Sequence, residues 1–303
     1  MKNNVYVRSK KSIASMSITR IILLIPLIIF GLYKNGVYLY LNKYTNIGGL
    51  FKPMMFIILG ALIGALVNII YEYIFKGNKD NIISVLFSSF HIEYGILLAC
   101  ITSVNTNIFV FMSVVFVMLF ISKILKNRIN IMSITFIVIY FIQQQLFGGY
   151  TYLNAYDTSR VFSLDFMDFM IGRGYGGIAT THIILLIIAL IGITVTNNNK
   201  SNISISSAIT IFLLFGIYSI ANHMDIGKLI LNNSYMFACV YIMTDYVTSS
   251  YTKNGEIIFG VLCGLLTFGF YFINPIIAPY IAITIVSLFN NLIDRLCNKT
   301  TYK

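Results

Sequence analysis

At 303 residues, 58% apolar and 10% charged, with a mean hydropathy of +0.83, the chain falls outside ordinary soluble domains, whose charged fraction is about a quarter. The net charge of +11 carries no basic stripe with interleaved aromatics, so nucleic acid is excluded as a partner and membrane lipid takes its place. The four cysteines and three histidines show no C-x-x-C pair and no metal-ligand spacing. The composition implies an all-α polytopic membrane protein.

The amino terminus carries Lys2, Arg8, Lys10, Lys11 and Arg20, and the first apolar run starts at Ile21. No small-residue cleavage site follows Ile21–Phe30, so the spacing predicts a retained first span that begins in the cytoplasm. Apolar windows of about 18 to 20 residues then predict ten transmembrane helices, at 19–40, 53–75, 81–101, 107–125, 130–148, 177–196, 203–222, 228–246, 255–273 and 275–293. The third is interrupted by Ser88, Ser89, His91 and Glu93. With both ends cytoplasmic, 15 Lys and Arg fall inside and 6 outside, Lys34, Lys43 and Lys52 among the latter, as the positive-inside rule requires.

The ten spans divide into a first five-helix half at 19–148 and a second at 177–293. Around them lie a cytoplasmic tail at 1–18, an extracytoplasmic loop at 149–176 and a second cytoplasmic tail at 294–303. A unit with an odd number of crossings can duplicate only in opposite orientations, so this division allows two inverted halves. The external loop mixes Asp157, Asp165, Asp168, Arg160 and Arg173 with aromatics, and a loop of this length is commonly functional.

The stretch Gly172-Arg173-Gly174-Tyr175-Gly176-Gly177-Ile178-Ala179-Thr180-Thr181-His182 opens the sixth span. Gly176 and Gly177 let backbone approach a ligand, and Thr180 and Thr181 add hydroxyls beside a helix amino terminus that favours anions. The alternative is a glycine-rich turn followed by threonine caps. Further on, Met243–Thr267 sets Thr244, Asp245, Thr248 and Ser249 between two apolar runs. Polar groups in hydrocarbon are costly unless they face protein, water or a ligand, which makes these four candidate cofactor contacts. Asp245 alternatively pairs with Lys253 or caps the turn that follows it.

Thr244-Asp245-Tyr246-Val247-Thr248-Ser249, then Gly255, Ile258-Phe259-Gly260 and Cys263-Gly264-Leu265-Leu266-Thr267, resemble the signature of the RnfD family, membrane components of the Rnf electron-transport complex. Relatives of that family include the NqrB component of the sodium-pumping NADH:quinone reductase. Asn290-Asn291-Leu292-Ile293-Asp294-Arg295 is similar to the family's closing words. The resemblance implies a urea-transporter-like fold of inverted halves. It also implies FMN held through a phosphoester at a threonine of the external loop, which corresponds to Thr158. Thr158 keeps the hydroxyl, while Ala155-Tyr156-Asp157 replaces the serine-glycine-alanine that precedes it in the family. Thr180 stands where the family has glutamate. The asparagine-rich run before the fifth span survives only at Asn130.

The function so implied is that of a membrane subunit of an ion-translocating electron-transport complex, passing electrons through FMN. Such a subunit belongs to a redox-driven translocase rather than acting as a stand-alone enzyme. Its partners are other Rnf-type membrane subunits and an extracytoplasmic flavoprotein. The departures from the family words leave two alternatives: a flavin-free permease or channel for a small solute on the same scaffold, and a structural subunit that holds partner chains together.

Overall fold

The computed structural model describes residues 12–77, 82–86, 89–125, 128–152, 164–196, 200–231 and 234–298, and all regular structure among them is helical. Five helices are long and apolar enough to cross a membrane: α1 Ile13–Leu41, α2 Ile47–Phe75, α5 Ile108–Leu125, α9 Ser201–Asn222 and α12 Lys253–Tyr271. A sixth span is the pair α13 Ala278–Leu288 and α14 Asn290–Asn298, bent by 56° at the break. Three shorter apolar helices are α4 His91–Ile101, α6 Ile131–Leu146 and α8 Ile183–Val195. Short helices α3 Ile82–Leu86, α7 Phe166–Ile171, α10 Ile226–Ile230 and α11, at 235–242, complete the order.

These elements fall on the ten expected spans, but the fifth is a shorter helix, the tenth is bent, and the third, sixth and eighth are broken or shortened. The third is α3 plus the 11-residue α4, which ends at Thr102. The sixth begins only at Ile183, because 172–182 is irregular, and the eighth gives out after Ile242. The two breaks on one side meet: the Ile178 and Ala179 amides donate to the carbonyls of Thr102 (3.1 Å) and Cys100 (3.0 Å). Backbone that leaves the helix inside a membrane protein needs such partners, since lipid offers none.

We call the side on which α1 begins the entry face and the other the far face. Packing between α1 and α8, and between α6 and α13, joins the first span of each half to its counterpart and the last span to its own. Glycines set the closest approaches. A Cβ on Gly60 of α2 would fall on the Gly95 carbonyl of α4, and one on Gly95 would fall on Gly60. Gly260 and Gly264 of α12 lie in the same way against Ser206 and Thr210 of α9.

Local signals start the helices. Ser12, Asn130 and Thr252 each cap the amide three residues on, satisfying donors that a helix start leaves open. Wider π-helical turns at 33–37, 70–75 and 238–242 shift register within α1, α2 and α11. The first aims Lys34 and Asn35 inward, and the second aims Glu72. Lys34, counted among the external charges at the end of the first expected span, is therefore a buried residue of α1.

Candidate functional site on the entry face

After Ile242 the chain turns irregularly to Thr252, and Thr244, Asp245, Thr248, Ser249 and Ser250 are all buried there. Asp245, 1% exposed, accepts on Oδ1 from the Tyr94 hydroxyl of α4 at 2.7 Å. Its Oδ2 accepts from the Thr248 amide (3.2 Å) and hydroxyl (2.7 Å), so the carboxylate caps the turn that follows it. Of the two expected roles for Asp245 the turn cap is the one realised, and Lys253 instead opens α12 behind its own cap, Thr252.

Neighbouring helices complete the network. The Asn130 amide of α6 donates to the Ile242 carbonyl and the Thr248 hydroxyl, each at 3.0 Å. Asn290 of α14 donates to the Thr248 carbonyl, and Lys200 donates to the Ser249 carbonyl, also at 3.0 Å each. Thr244 and Ser249 turn back on their own chain, donating to the Val240 and Asp245 carbonyls. Asp294 of α14 accepts from the Ser250 hydroxyl and the Tyr251 amide. Beneath this layer Arg20 of α1 and Glu93 of α4 form an ion pair at 3.0 Å, each about 1% exposed, and Arg20 also donates to the Tyr241 carbonyl.

Tyr94 and Thr248, the two donors to Asp245, also line a cavity of about 300 Å³ on the entry face. One wall is aromatic. Phe90 lies nearly parallel to Tyr94 (23°) and to Tyr246 (12°), at centroid distances of 6.2 and 6.3 Å, while Tyr71 closes another side. The deep end is polar and carries Glu72, Lys123, Ser89 and His91, and Lys76 stands at the rim with its side chain 49% exposed. An aromatic wall with hydroxyls and ammoniums at one end of the cavity suits a flat, amphipathic aromatic ligand, because stacking and directed hydrogen bonds then act on different parts of it.

The profile of the NQR2, RnfD, RnfE family matches residues 1–303. The chain belongs to that family. It is accordingly a membrane subunit of an Rnf/Nqr-type complex, a multi-subunit assembly. No curated protein matches it.

Four of the remaining sequence candidates of this NQR2/RnfD/RnfE member lie on the far face, at a distance from Asp245. Gly176, Gly177, Thr180 and Thr181 occupy the irregular entry to α8. A Cβ at Gly177 would fall on the Ile101 carbonyl, so the close approach this glycine permits is to α4. The Gly177 amide donates to Ser234, whose hydroxyl lies 3.0 Å from Thr180 Oγ1. Thr181 Oγ1 accepts from Lys34, which also donates to the carbonyls of Gly172 (2.8 Å) and Gly174 (2.5 Å). His182 caps α8 through the Leu185 amide. Thr158 lies outside the described residues. Among the described residues no group of His, Cys, Asp and Glu is arranged to hold a metal ion.

Sequence reasoning misses the cavity's deep end. Lys76 and Lys123 read as topology signals, while Ser89 and His91 read only as interruptions of the third span. Glu72, an acid inside an apolar run, is the available signal.

Proposed function

We propose that this subunit passes electrons across the membrane through bound flavin, and that the entry-face cavity holds that flavin without a covalent bond. The observation that carries the reading is the slot walled by Phe90, Tyr94 and Tyr71, with Thr248 and Tyr94 anchored from behind by Asp245. Phe90 and Tyr94 would stack on the ring, and Thr248 would present its hydroxyl to the ring edge. Lys76 at the rim would face the phosphate of FMN. A bound flavin supplies one- and two-electron chemistry there, and the protein supplies position, electrostatics and exclusion of competing reactions. Asp245 orients the two donors rather than reaching the ligand, because both of its oxygens are committed. Thr244 and Ser249 support the turn that carries Thr248, while Gly176, Gly177, Thr180 and Thr181 would contact a cofactor at the far face.

A second flavin, FMN in phosphoester linkage to Thr158, belongs to the same reading. In it the entry face is cytoplasmic, both termini are cytoplasmic, and the far face delivers electrons to an extracytoplasmic flavoprotein, with movement of Na+ or H+ coupled to the transfer. Gentle purification followed by an absorption spectrum tests the cavity: a flavin spectrum that acid precipitation releases is expected. In-gel fluorescence after denaturation tests Thr158, with loss of the band in Thr158→Ala. Protein free of flavin in either form, together with solute uptake in vesicles, would replace this reading by a permease.

A further inference from the structure

The deep end of the cavity contains an unbroken chain of hydrogen-bonding groups that runs inward from solvent. Lys76 at the rim lies 2.9 Å from Glu72 Oε1, and the same oxygen lies 3.5 Å from Lys123 Nζ. Lys123, its side chain only 9% exposed, donates to Ser89 Oγ at 2.9 Å and to Asn68 Oδ1 at 3.0 Å. Ser89 Oγ is 2.8 Å from His91 Nδ1, and His91 Nε2 is 3.0 Å from Ser122 Oγ. The other groups facing Lys123 are the Tyr71 ring of α2, 5.4 Å away, and Lys76 itself. Asp245 lies one hydrogen bond further back, behind Tyr94.

A structural ion pair would need only Glu72 and one lysine. Here two lysines share one carboxylate, and the buried lysine is wired onward to a serine and a histidine that line the ligand's space. We propose that Lys76, Glu72, Lys123 and Ser89 form a proton path that serves the ligand in the cavity. The inference rests on the flavin reading above.

Two electrons enter the ligand, together from a partner subunit's reduced flavin or one at a time from a one-electron centre, and two protons must follow if the low-dielectric cavity is to gain no net charge. For each, an N–H bond of Lys123 breaks and its proton reaches a ring nitrogen through the Ser89 hydroxyl. Ser89 takes the incoming proton as it releases its own. Glu72 then passes a proton from Lys76 to the Lys123 amine, and bulk water recharges Lys76. Asn68 Oδ1, to which the Ser89 hydroxyl donates at 2.6 Å at rest, and His91, itself held by Ser122, fix the orientation of Ser89, whose hydroxyl turns to the ring nitrogen for the transfer.

The test uses the purified full chain in detergent, loaded with riboflavin or FMN and reduced anaerobically by dithionite in a stopped-flow instrument. Rates are measured from pH 6 to 9, in H2O and in D2O. Wild-type protein should be reduced more slowly in D2O. Lys123→Met should be slower by about tenfold or more, the lower range of what a positioned proton donor contributes, and should lose the D2O effect. Lys123→Arg, which keeps the charge but cannot give up a proton, should stay as slow as Lys123→Met, and Ser89→Ala, which leaves the ion pair intact, should fall between; a Lys123→Arg variant as fast as wild type would overturn the path. Equal rates and pH profiles in flavin-loaded wild type and Ser89→Ala would overturn the path, as would absence of a D2O effect in the wild type. Should wild-type protein bind neither flavin, the reading beneath the inference fails with it. Should Lys123→Met not fold, Ser89→Ala and Lys123→Arg decide the matter alone.

Discussion

Tyr94 and Asp245 are joined by a 2.7 Å hydrogen bond across 151 residues of chain. It ties the first turn of a half-length helix to the irregular segment that ends α11, one from each half of the molecule. Since Tyr94 also lines the cavity, the shape of the ligand's space and the fold of the 243–252 segment are set by the same contact. A hydrogen bond to a charged group contributes roughly 1.5–3 kcal/mol. Tyr94→Phe keeps the ring and removes only the donor, and it should lower stability by about that amount in a denaturant titration followed by tyrosine fluorescence. An unchanged midpoint would mean that Asp245 finds another donor and that the two halves are not coupled here.

Gly60 and Gly95 should behave unlike Gly269. Alanine at either of the first two places a methyl on the facing backbone carbonyl, whereas nothing lies within 4 Å of a Cβ at Gly269. Overpacking of this kind costs about 1–3 kcal/mol or more, while removing an exposed helical glycine gains up to about 1 kcal/mol. Thermal unfolding of the three alanine variants should rank Gly269→Ala at or above wild type and the others below it.

Lys34 holds Gly172, Gly174 and Thr181 against α1. Lys34→Met should release that segment without unfolding the bundle. A cysteine placed at Arg173 should then react faster with a maleimide than it does in the Lys34 background, and Lys43→Met, at an exposed turn, should leave the rate unchanged. Equal labelling in all three would show that the segment is held by its backbone bonds to α4 alone.

Lys200, between α8 and α9, supplies a pH signature. Burial, opposed by the nearby carboxylates of Asp245, Glu256 and Asp294, pushes its ammonium down from 10.5 to about 8. Between those values the unfolded chain binds more protons than the folded one, so stability rises with pH across that window and is insensitive to this group below it. The stability difference between wild type and Lys200→Met should therefore shift in favour of wild type as pH rises from 8 towards 10. A difference that stays flat would place the lysine in water.

The ten apolar runs are legible because hydrocarbon solubility is written locally, in windows of sequence. What is not local is not legible. The run at 177–196 is apolar enough to span, yet its helix starts only at Ile183, because the Ile178 and Ala179 amides donate to the Thr102 and Cys100 carbonyls instead of joining a helical turn. Lys34 reads only as an external charge, since its three acceptors lie about 140 positions further along and no window contains both. The polar patch around Asp245 stands out from composition alone. Its partners Tyr94, Asn130 and Asn290 come from three other helices, so the patch is visible in the sequence and its internal hydrogen bonding is not.

Helix α1 carries Arg20 and Lys34, and carbonyl acceptors for them follow 221 residues later at Tyr241 and 138 residues later at Gly172. At a synthesis rate of about 5–20 residues per second, Arg20 waits on the order of ten to forty-five seconds for that carbonyl. Until Glu93 is made for Arg20 and Gly172 for Lys34, these cations on a nascent helix must be sheltered by the insertion machinery or sit at the bilayer edge. The amino-terminal helix is thus among the last to settle, and the order in which this protein is made is not the order in which it locks together.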